Sequence, residues 1–382
     1  MGNIRTGDMM DLRNPETRRL ITKGFQSENI KNPFIDYMID KNSFPLSKAD
    51  YVSSMPGMRC TSMGAAFFIV PFVNAITRSG TLEEKHLLFE SMLTHKAFKD
   101  ILSNKRGHRL GEKEKLVIQA VRTVSNVKNR QTRAEQAGMD MLENLIEKDN
   151  LLDNHILLFL LDPGQIQPEI RGLVANKLAA KYQRPCCVLT YSNDDIEVYN
   201  GSMRGYTKTG ITSFKEVLER CPGIRWVQGH DNAAGMSVCK DQIRDFLSAA
   251  NRLLKDTSIE PMYRVDYDFR EQDNNNAIIL EIAGMNDYWG QDIERAYVNI
   301  RFKITDSNFK VMKSNTLKFE LPNGLSIIKF GGTDKEIEQF TTTGYIELNA
   351  VCKCNENKWN GNSYPQLIME DWEIIDSSRY YF

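Results

Sequence analysis

The sequence predicts an α/β part followed by an all-β part. Strand-like and helix-like segments alternate between about residues 154 and 255, which is typical of a sheet covered by helices. After about residue 256 the helical spacing disappears, and strand-length segments follow one another up to residue 382. A chain of 382 residues exceeds the roughly 100 to 200 residues of a typical domain, so we expect several compact units.

The whole chain, with 41% hydrophobic and 26% charged residues, has the composition of a soluble globular protein, and its first predicted unit covers residues 1–97. Its longest apolar run, Met63 to Ile76, contains Pro71 and Asn74 and is too short to cross a bilayer, so we expect it to be buried core.

No basic-then-apolar leader begins the chain, and a cytoplasmic location without membrane contact is expected. Seven cysteines without a CxxC pair argue against zinc binding and disulfides.

Residues 98–153 are predicted to form a helical connector that joins two lobes and is not itself a core. Apolar residues in "EKLVIQAVRTVSNV" recur with the spacing of one helix side. Ten basic and three acidic residues lie between Lys99 and Arg133, a surplus of seven. That surplus is compatible with a phosphate-binding surface and equally with a solvated helix face.

The unit 154–255 is predicted from alternating elements. "HILLFLLDPG", "PCCVLTY" and "IEVYN" are strand candidates, whereas "IRGLVANKLAAKY", "SFKEVLERC" and "KDQIRDFLSAANRLLK" have helical spacing. In the unit 256–382, segments such as "YRVDYDF", "AIILEIA" and "QLIMEDWEII" are predicted strands. Several short strands in about 125 residues suit a small barrel, of which the oligonucleotide-binding fold is a frequent type.

Two short stretches combine glycines with polar side chains suited to an anionic ligand. In "NGSMRGY" the glycines allow close backbone approach, Ser202 offers a hydroxyl, and Arg204 offers a planar fork that matches a phosphate. In "QGHDNAAG", Gly229 frees the backbone and His230 supplies a donor above a floor of small residues. The alternatives are a strand-to-helix turn with a surface arginine, and a histidine that makes a structural hydrogen bond.

Several motifs together resemble one family, the RecJ single-strand-specific exonucleases of the DHH phosphoesterase superfamily. The two stretches above are similar to its Gly-Ser-x-Arg-Ser and Gly-Gly-His-x-x-Ala-Ala-Gly loops, although Gly205 and Gln228 depart from those patterns. Further similar stretches are "GDMMDLRNPETRRLITKGF", "IVPFVNAITRSG", "VKNRQT", "EIRGLVANKLAAKYQRPCCVL" and "NKWNGNSYPQLIMEDWEI". The resemblance covers nearly the whole chain.

The resemblance implies a fold of four parts: the second half of a DHH-type catalytic domain (1–97), the helical connector, an α/β DHH-associated domain, and an oligonucleotide-binding β-barrel. It also implies Mn²⁺ or Mg²⁺ as cofactor, with Asp8 as a ligand. No Asp-His-His occurs in the sequence, so the ligand set is incomplete. We therefore expect Met1 to cut into the catalytic domain and the chain alone to be inactive. Either an amino-terminal DHH-bearing polypeptide is its partner, or the gene is a remnant or a fragment.

Three further side chains are candidates for contact with single-stranded DNA. Asn74 and Arg78 lie four residues apart, on one face if their segment is helical, and either reach a phosphate or bond each other. Aromatic residues of the last unit stack bases or fill the barrel core. Among them Trp359, in the turn-like "NKWNGN", is expected to be exposed.

The function expected from the resemblance is the carboxy-terminal, substrate-binding part of a metal-dependent 5′-3′ single-stranded DNA exonuclease acting in recombination, repair or replication. The alternative is a non-catalytic subunit that binds single-stranded nucleic acid or docks on a partner. A hydrolase of very short oligonucleotides or cyclic dinucleotides is a third hypothesis. The predicted β-barrel argues against it, because the relatives of that kind end before such a module.

Overall fold

A computed structural model describes most of the chain: residues 12–41, 60, 62–191, 195–206, 210–256, 261–270, 275–286, 288–290, 293–341, 344–360 and 362–379. These residues divide into two compact units. One is Pro71–Met262, and the other joins the residues up to Val70 with those from Tyr263 onward. The four-part division expected from the sequence stays a prediction. Within the described residues, no helix has both the length and the apolar character that a membrane span requires.

The early part of the chain is helical. Its helices are α1 (Pro15–Phe25), α2 (Pro33–Lys41), α3 (Ser62–Phe68), α4 (Val70–Ser79), α5 (Leu82–Ser91) and α6 (Thr94–Ala97). α5 begins at a capping box, in which Thr81 and Glu84 each accept a hydrogen bond from the other's backbone N–H. The apolar run predicted to be core is buried only in part: Ala65, Ile69, Ala75 and Ile76 are buried, whereas Phe67 is 64% exposed.

The predicted helical connector is a hairpin followed by one long helix. Strands β1 (Asp100–Leu102) and β2 (Lys113–Lys115) pair antiparallel, and α7 (Leu116–Lys148) then runs for 33 residues. The expectation that this segment is not itself a core was wrong. Met139, Leu142 and Ile146 of α7 belong to a buried cluster, because the helix keeps an apolar side through its last turns.

A five-stranded sheet forms the α/β part. Its strands are β3 (Leu157–Leu161), β4 (Cys186–Tyr191), β5 (Val198–Arg204), β6 (Ile224–His230) and β7 (Ala233–Cys239), in the order β3-β4-β5-β7-β6. β3 and β4 are parallel and the other pairs antiparallel. α8 (Pro168–Tyr182) packs on one face. α9 (Phe214–Glu219) and α10 (Ile243–Leu254) pack on the other.

The all-β part has a seven-stranded sheet. Its strands are β8 (Tyr267–Arg270), β9 (Val298–Ile304), β10 (Phe309–Met312), β11 (Thr316–Glu320), β12 (Ser326–Lys329), β13 (Gly344–Trp359) and β14 (Asn362–Arg379), in the order β10-β11-β12-β14-β13-β9-β8. Its core includes a group of aromatic rings, with Phe319 and Phe340 at 5.6 Å between centroids.

This part also contains two helices that the sequence analysis missed, α11 (Asn276–Gly284) and α12 (Asp334–Phe340). The segment "AIILEIA" was predicted as a strand and is helical. Ile279 and Ala283, four residues apart, are its buried positions, so a helix turns both toward the sheet. A continuous apolar run of this length does not distinguish a strand from a helix by periodicity.

Candidate nucleic-acid interface

The two glycine-containing stretches lie on neighbouring strands and not in loops as expected. Residues of "NGSMRGY" end strand β5, and those of "QGHDNAAG" form the end of β6, a two-residue turn and the start of β7. Because side chains alternate between the faces of a strand, every second residue of these strands meets its neighbours in a row across one face. The rows are Arg204–Ala233–His230, Ser202–Gly235–Gln228 and Asn200–Ser237–Trp226.

We call these nine residues the trough. The middle strand contributes only small side chains, namely Ala233, Gly235 and Ser237, whereas larger side chains stand on both flanking strands. Two strand spacings separate the flanks, which is roughly 10 Å. Gln228 and His230 are exposed on the edge strand β6. A Cβ on Gly235 would lie 3.2 Å from the Trp226 ring, so the indole lies over Gly235 and covers this part of the floor, and Ser237 beside it is buried.

Arg204 is the cation of the trough. Its Nη1 donates to the Met203 carbonyl oxygen at 2.6 Å. A Cβ on Gly172 of α8 would overlap Nη2 of Arg204 and lie 3.1 Å from Cζ, so the guanidinium rests against this helix. Burial lowers the pKa of Arg204, and the charge of Arg78 lowers it further. Such an environment favours an added anion, because no carboxylate of the described residues forms an ion pair with Arg204.

Arg78 and Asn74 lie one turn apart on α4, and both are exposed. The charge of Arg78 contributes to lowering the pKa of Arg204, after the larger effect of burial. Within the described part of the chain, no hydrogen bond joins the Asn74 and Arg78 side chains. At this turn, Thr77 Oγ1 donates a hydrogen bond to the Asn74 carbonyl oxygen at 3.1 Å. Arg78 is thus available to a ligand together with Arg204.

The turn after His230 is bound to the start of α9. Asp231 Oδ1 accepts from Ser213 Oγ at 3.0 Å, and Asn232 Oδ1 accepts from the Phe214 N–H at 3.3 Å. The Gly205 N–H donates to the Asn232 carbonyl at 2.9 Å. These bonds fix the end of β5 against the β6–β7 turn, and therefore hold Arg204 and His230 in register.

The glycines of the first stretch have a different role from the one expected. A Cβ on Gly205 would overlap Asn232 Oδ1, and one on Gly201 would overlap the Val188 carbonyl oxygen. Both positions are therefore glycine because of protein packing and not because a ligand approaches. Gly229, with φ +139°, does need the conformational freedom of glycine, and it positions His230 at the end of its strand.

Two exposed aromatic side chains of the all-β part lie at the tip of the β13–β14 hairpin, whereas the exposed Tyr267, Tyr288 and Phe330 lie elsewhere. Trp359 is 68% exposed and Tyr364 is 46% exposed. Trp359 lies opposite Asn362, so Tyr364, two residues further, is its diagonal neighbour on the same face. Trp372 instead packs on Phe340 at 4.8 Å. The expected exposure of Trp359 is found, and its contact with DNA stays a prediction.

The predicted metal ligand Asp8 lies outside the described residues. Among the residues that are described, no group of three or more His, Cys, Asp or Glu side chains is placed to hold a metal ion. The described residues therefore do not fit a two-metal centre, which needs several carboxylate and imidazole ligands.

Four residues of the trough were not predicted from the sequence, namely Trp226, Gln228, Ser237 and Asn200, and neither was the supporting Gly172. The period-2 alternation of β6 and β7 was the available signal for the first three, once the stretch is taken as a hairpin. Nothing in the sequence connects Gly172 with Arg204, which lies 32 positions away.

Comparisons with known proteins agree with this architecture. Residues 155–256 match the model of the DHHA1 domain, and residues 265–371 match that of the RecJ OB domain. A putative SPbeta prophage-derived single-strand DNA-specific exonuclease of Bacillus subtilis, YorK, is 29% identical over 99% of this chain. The chain spans 64% of the length of that relative. The single-stranded-DNA-specific exonuclease RecJ of Bacillus subtilis is 24% identical over 55% of this chain and 27% of its own length.

Solved structures show the same fold. RecJ of Thermus thermophilus in complex with Mg²⁺ is similar with a TM-score of 0.59 and 16% identity, over 93% of this chain and 48% of that chain. Its complex with Mn²⁺ gives a TM-score of 0.56 over 86% of this chain and 43% of that chain. The chain therefore carries the DHHA1 and RecJ OB domains of RecJ-like single-strand-specific exonucleases, the family that its sequence motifs resemble.

Proposed function

We propose that the chain is the substrate-binding, carboxy-terminal part of a RecJ-like metal-dependent 5′-3′ exonuclease that acts on single-stranded DNA in recombination, repair or replication. The observation that carries the proposal is the row of Arg204, Ala233 and His230 across the trough. This row places a cation and a hydrogen-bonding imidazole on opposite sides of a floor without bulky side chains. We place the activity in the cytoplasm.

The trough suits one strand of nucleic acid. Its flanks are roughly 10 Å apart. The major groove of a duplex is already ≈12 Å wide, and the whole duplex is wider still, so a duplex does not fit between the flanks. In this proposal the Arg204 fork and Arg78 bind phosphate oxygens, since guanidinium pairs with phosphate through short, charge-assisted hydrogen bonds. Ser202 and His230 add hydrogen bonds to the backbone of the strand, and the small Ala233 between Arg204 and His230 leaves room for sugars and bases.

Hydrolysis needs groups beyond the described residues. We propose Mn²⁺ or Mg²⁺ as cofactor, supported by the ions held in the two Thermus thermophilus RecJ structures. The ligands in this proposal are Asp8 and side chains of an amino-terminal DHH-bearing polypeptide. The contribution of this chain is to bind and orient the strand.

The test combines binding with cleavage. We expect the chain alone to bind a labelled single strand at low salt and to leave it intact in Mn²⁺. A polypeptide that bears the Asp-His-His motifs should restore hydrolysis when added. If the two form a tight complex and the strand still stays intact, the exonuclease role is wrong. If no oligonucleotide binds even at low salt, the binding role is wrong as well.

A non-catalytic subunit that binds single-stranded nucleic acid or docks on a partner is the second candidate. The observation that favours it is the contrast between a complete trough and the missing metal cluster among the described residues. Salt-sensitive binding that persists without hydrolysis, under every combination of metal and DHH-bearing polypeptide, would support it.

A further inference from the structure

A second concentration of positive charge lies in the hairpin of residues 100–115, outside the trough. We call this segment the basic hairpin. Its strands pair over three residues each, and every residue from Asn104 to Lys113 is exposed. The hairpin belongs to the same compact unit as the trough. It contains part of the basic surplus between Lys99 and Arg133, which is compatible with a phosphate-binding surface and equally with a solvated helix face.

The acidic residues of the hairpin are occupied by the protein itself. Asp100 pairs with Lys115 at 3.0 Å. Glu114 accepts from Arg122 Nη1 at 2.7 Å, and this bond lowers the pKa of Glu114. Glu112 Oε2 accepts from the backbone N–H of Arg109 at 2.9 Å. The carboxylates of Asp100 and Glu114 thus pair with cations at the base, whereas Glu112 stays at the tip as one negative charge among four cations.

Two consecutive tight turns fix the tip. The His108 N–H donates to the Lys105 carbonyl at 3.0 Å, and the Glu112 N–H to the Arg109 carbonyl at 3.0 Å. The third residue of each turn is a glycine with φ +79°, as a turn with a left-handed third residue requires. The tip therefore presents its side chains from a defined backbone.

The exposed side chains at the tip include four cations and one leucine, together with Asn104, His108 and Glu112. Within the described part of the chain, none of the cations forms an ion pair with a carboxylate; they are Lys105, Arg106, Arg109 and Lys113. Leu110, between them, is fully exposed. An apolar side chain held in water at the end of a cationic hairpin gains from a ligand that is both anionic and able to bury it.

We propose that the basic hairpin binds the phosphate backbone of DNA at a point outside the trough, with Leu110 packing against a base. This inference rests on the proposed function, because both contacts then act on one substrate. Nucleic acid fits better than an acidic protein segment. Its charges repeat along the chain and match several separated cations, and apolar side chains insert between its base steps.

The test compares two triple variants of the full chain. The hairpin variant is Lys105→Ala/Arg106→Ala/Arg109→Ala. The control is Lys148→Ala/Lys313→Ala/Lys335→Ala, which removes the same charge from three exposed lysines elsewhere. Fluorescence anisotropy measures affinity over a range of salt concentrations. The DNAs are a single strand of about 30 nucleotides, longer than the roughly 4 to 16 that one barrel binds, and the same strand joined to a duplex.

We expect the hairpin variant to bind about tenfold more weakly near physiological salt, with the slope of log affinity against log salt lower in magnitude by about 2, since each lost phosphate contact removes about 0.7. An equal loss on both DNAs identifies a single-strand contact, and a loss confined to the joined molecule identifies a duplex contact. Leu110→Ser should weaken binding a few-fold and leave the slope unchanged.

Arg204→Gln separates this inference from the proposed function. If Arg204→Gln weakens binding and the hairpin variant binds like wild type, the hairpin inference is overturned and the trough stands. If the control triple variant lowers the slope as much as the hairpin variant, a specific hairpin contact is also overturned. Equal melting temperatures for all the variants show that lost binding is not lost folding.

Discussion

Arg204 on β5 and His230 on β6 lie in one cross-strand row, separated only by Ala233 of β7. The two residues are 26 positions apart in the sequence and come from two stretches that were identified independently. Their register is fixed by the bonds that join Gly205 and Asn232 at the end of the row. A ligand that touches both side chains must bridge β7, which lies between them. The trough itself runs along β7, with β5 and β6 on its two sides.

Replacing Arg204 tests the cation of the trough. Arg204→Gln should weaken binding of a single strand by about 10- to 100-fold, because a hydrogen bond to a charged group contributes roughly 1.5 to 3 kcal/mol. Arg204→Lys should restore only part of the affinity, since an ammonium lacks the planar fork. Anisotropy at fixed salt measures both. Wild-type affinity in Arg204→Gln would contradict the assignment.

Replacing Gly172 should change the affinity for DNA without lowering the free energy of unfolding. In Gly172→Ala the new methyl group would displace the Arg204 guanidinium, which is the far end of a flexible side chain. Folding should therefore change little, or improve by up to about 1 kcal/mol from the helix propensity of alanine. Binding should fall, because Arg204 is redirected.

The control for Gly172→Ala is Gly24→Ala. Gly24 is also helical, and a Cβ there has nothing within 4 Å. Because Gly24 is the last residue but one of its helix, this control should gain less from helix propensity, and it should keep wild-type affinity. Denaturant titration and anisotropy of both variants, side by side, measure the two effects. A Gly172→Ala variant that binds as tightly as its control would show that the position of Arg204 does not matter.

The elements of the α/β part were predictable because their apolar patterns are short and bounded by turns. β3, β4 and α8 through α10 coincide with the predicted segments. The glycines and alanines around His230 predict a loop, whereas the pairing of this stretch with β5 comes from contacts distant in sequence. Strand propensity depends on such neighbours, so the local sequence understates it.

The side chains of the candidate site were predictable by residue type but not by arrangement. Ser202, Arg204 and His230 were selected for their chemistry, and the structure places all three on one face. Arg78 came from a separate motif, and its electrostatic effect on Arg204 depends on tertiary packing. The interpretation of residues 98–153 as a plain helix missed the basic hairpin, because β1 and β2 have only three residues each.

Trp359 tests the contribution of the all-β part to binding. Trp359→Ala should weaken binding of a long single strand by roughly 1 to 3 kcal/mol, the value of one stacked base. Its melting temperature should stay near wild type, because the ring is exposed. Trp372→Ala is the contrast: that ring packs on Phe340, so its loss should lower the melting temperature. Unchanged affinity in Trp359→Ala would leave the exposed ring without a role in stacking.

Glu336 makes the all-β part sensitive to acid. Burial raises the pKa of Glu336, but hydrogen bonds from Thr333, Lys329 and Trp372 outweigh this effect, and the pKa lies below its ordinary value. A carboxyl whose pKa is lower in the folded state stabilises the fold above its unfolded pKa. This contribution is lost as the pH falls through the folded pKa.

We therefore expect the free energy of unfolding to decline as the pH falls below about 4.5, the ordinary value for the group. Glu336→Gln should be less stable than wild type at neutral pH by roughly 1 to 2 kcal/mol, because Trp372 Nε1 and Lys329 lose a charged acceptor. The difference should narrow in acid. Urea titrations of both proteins at several pH values measure it, and parallel pH curves for the two would contradict this role of Glu336.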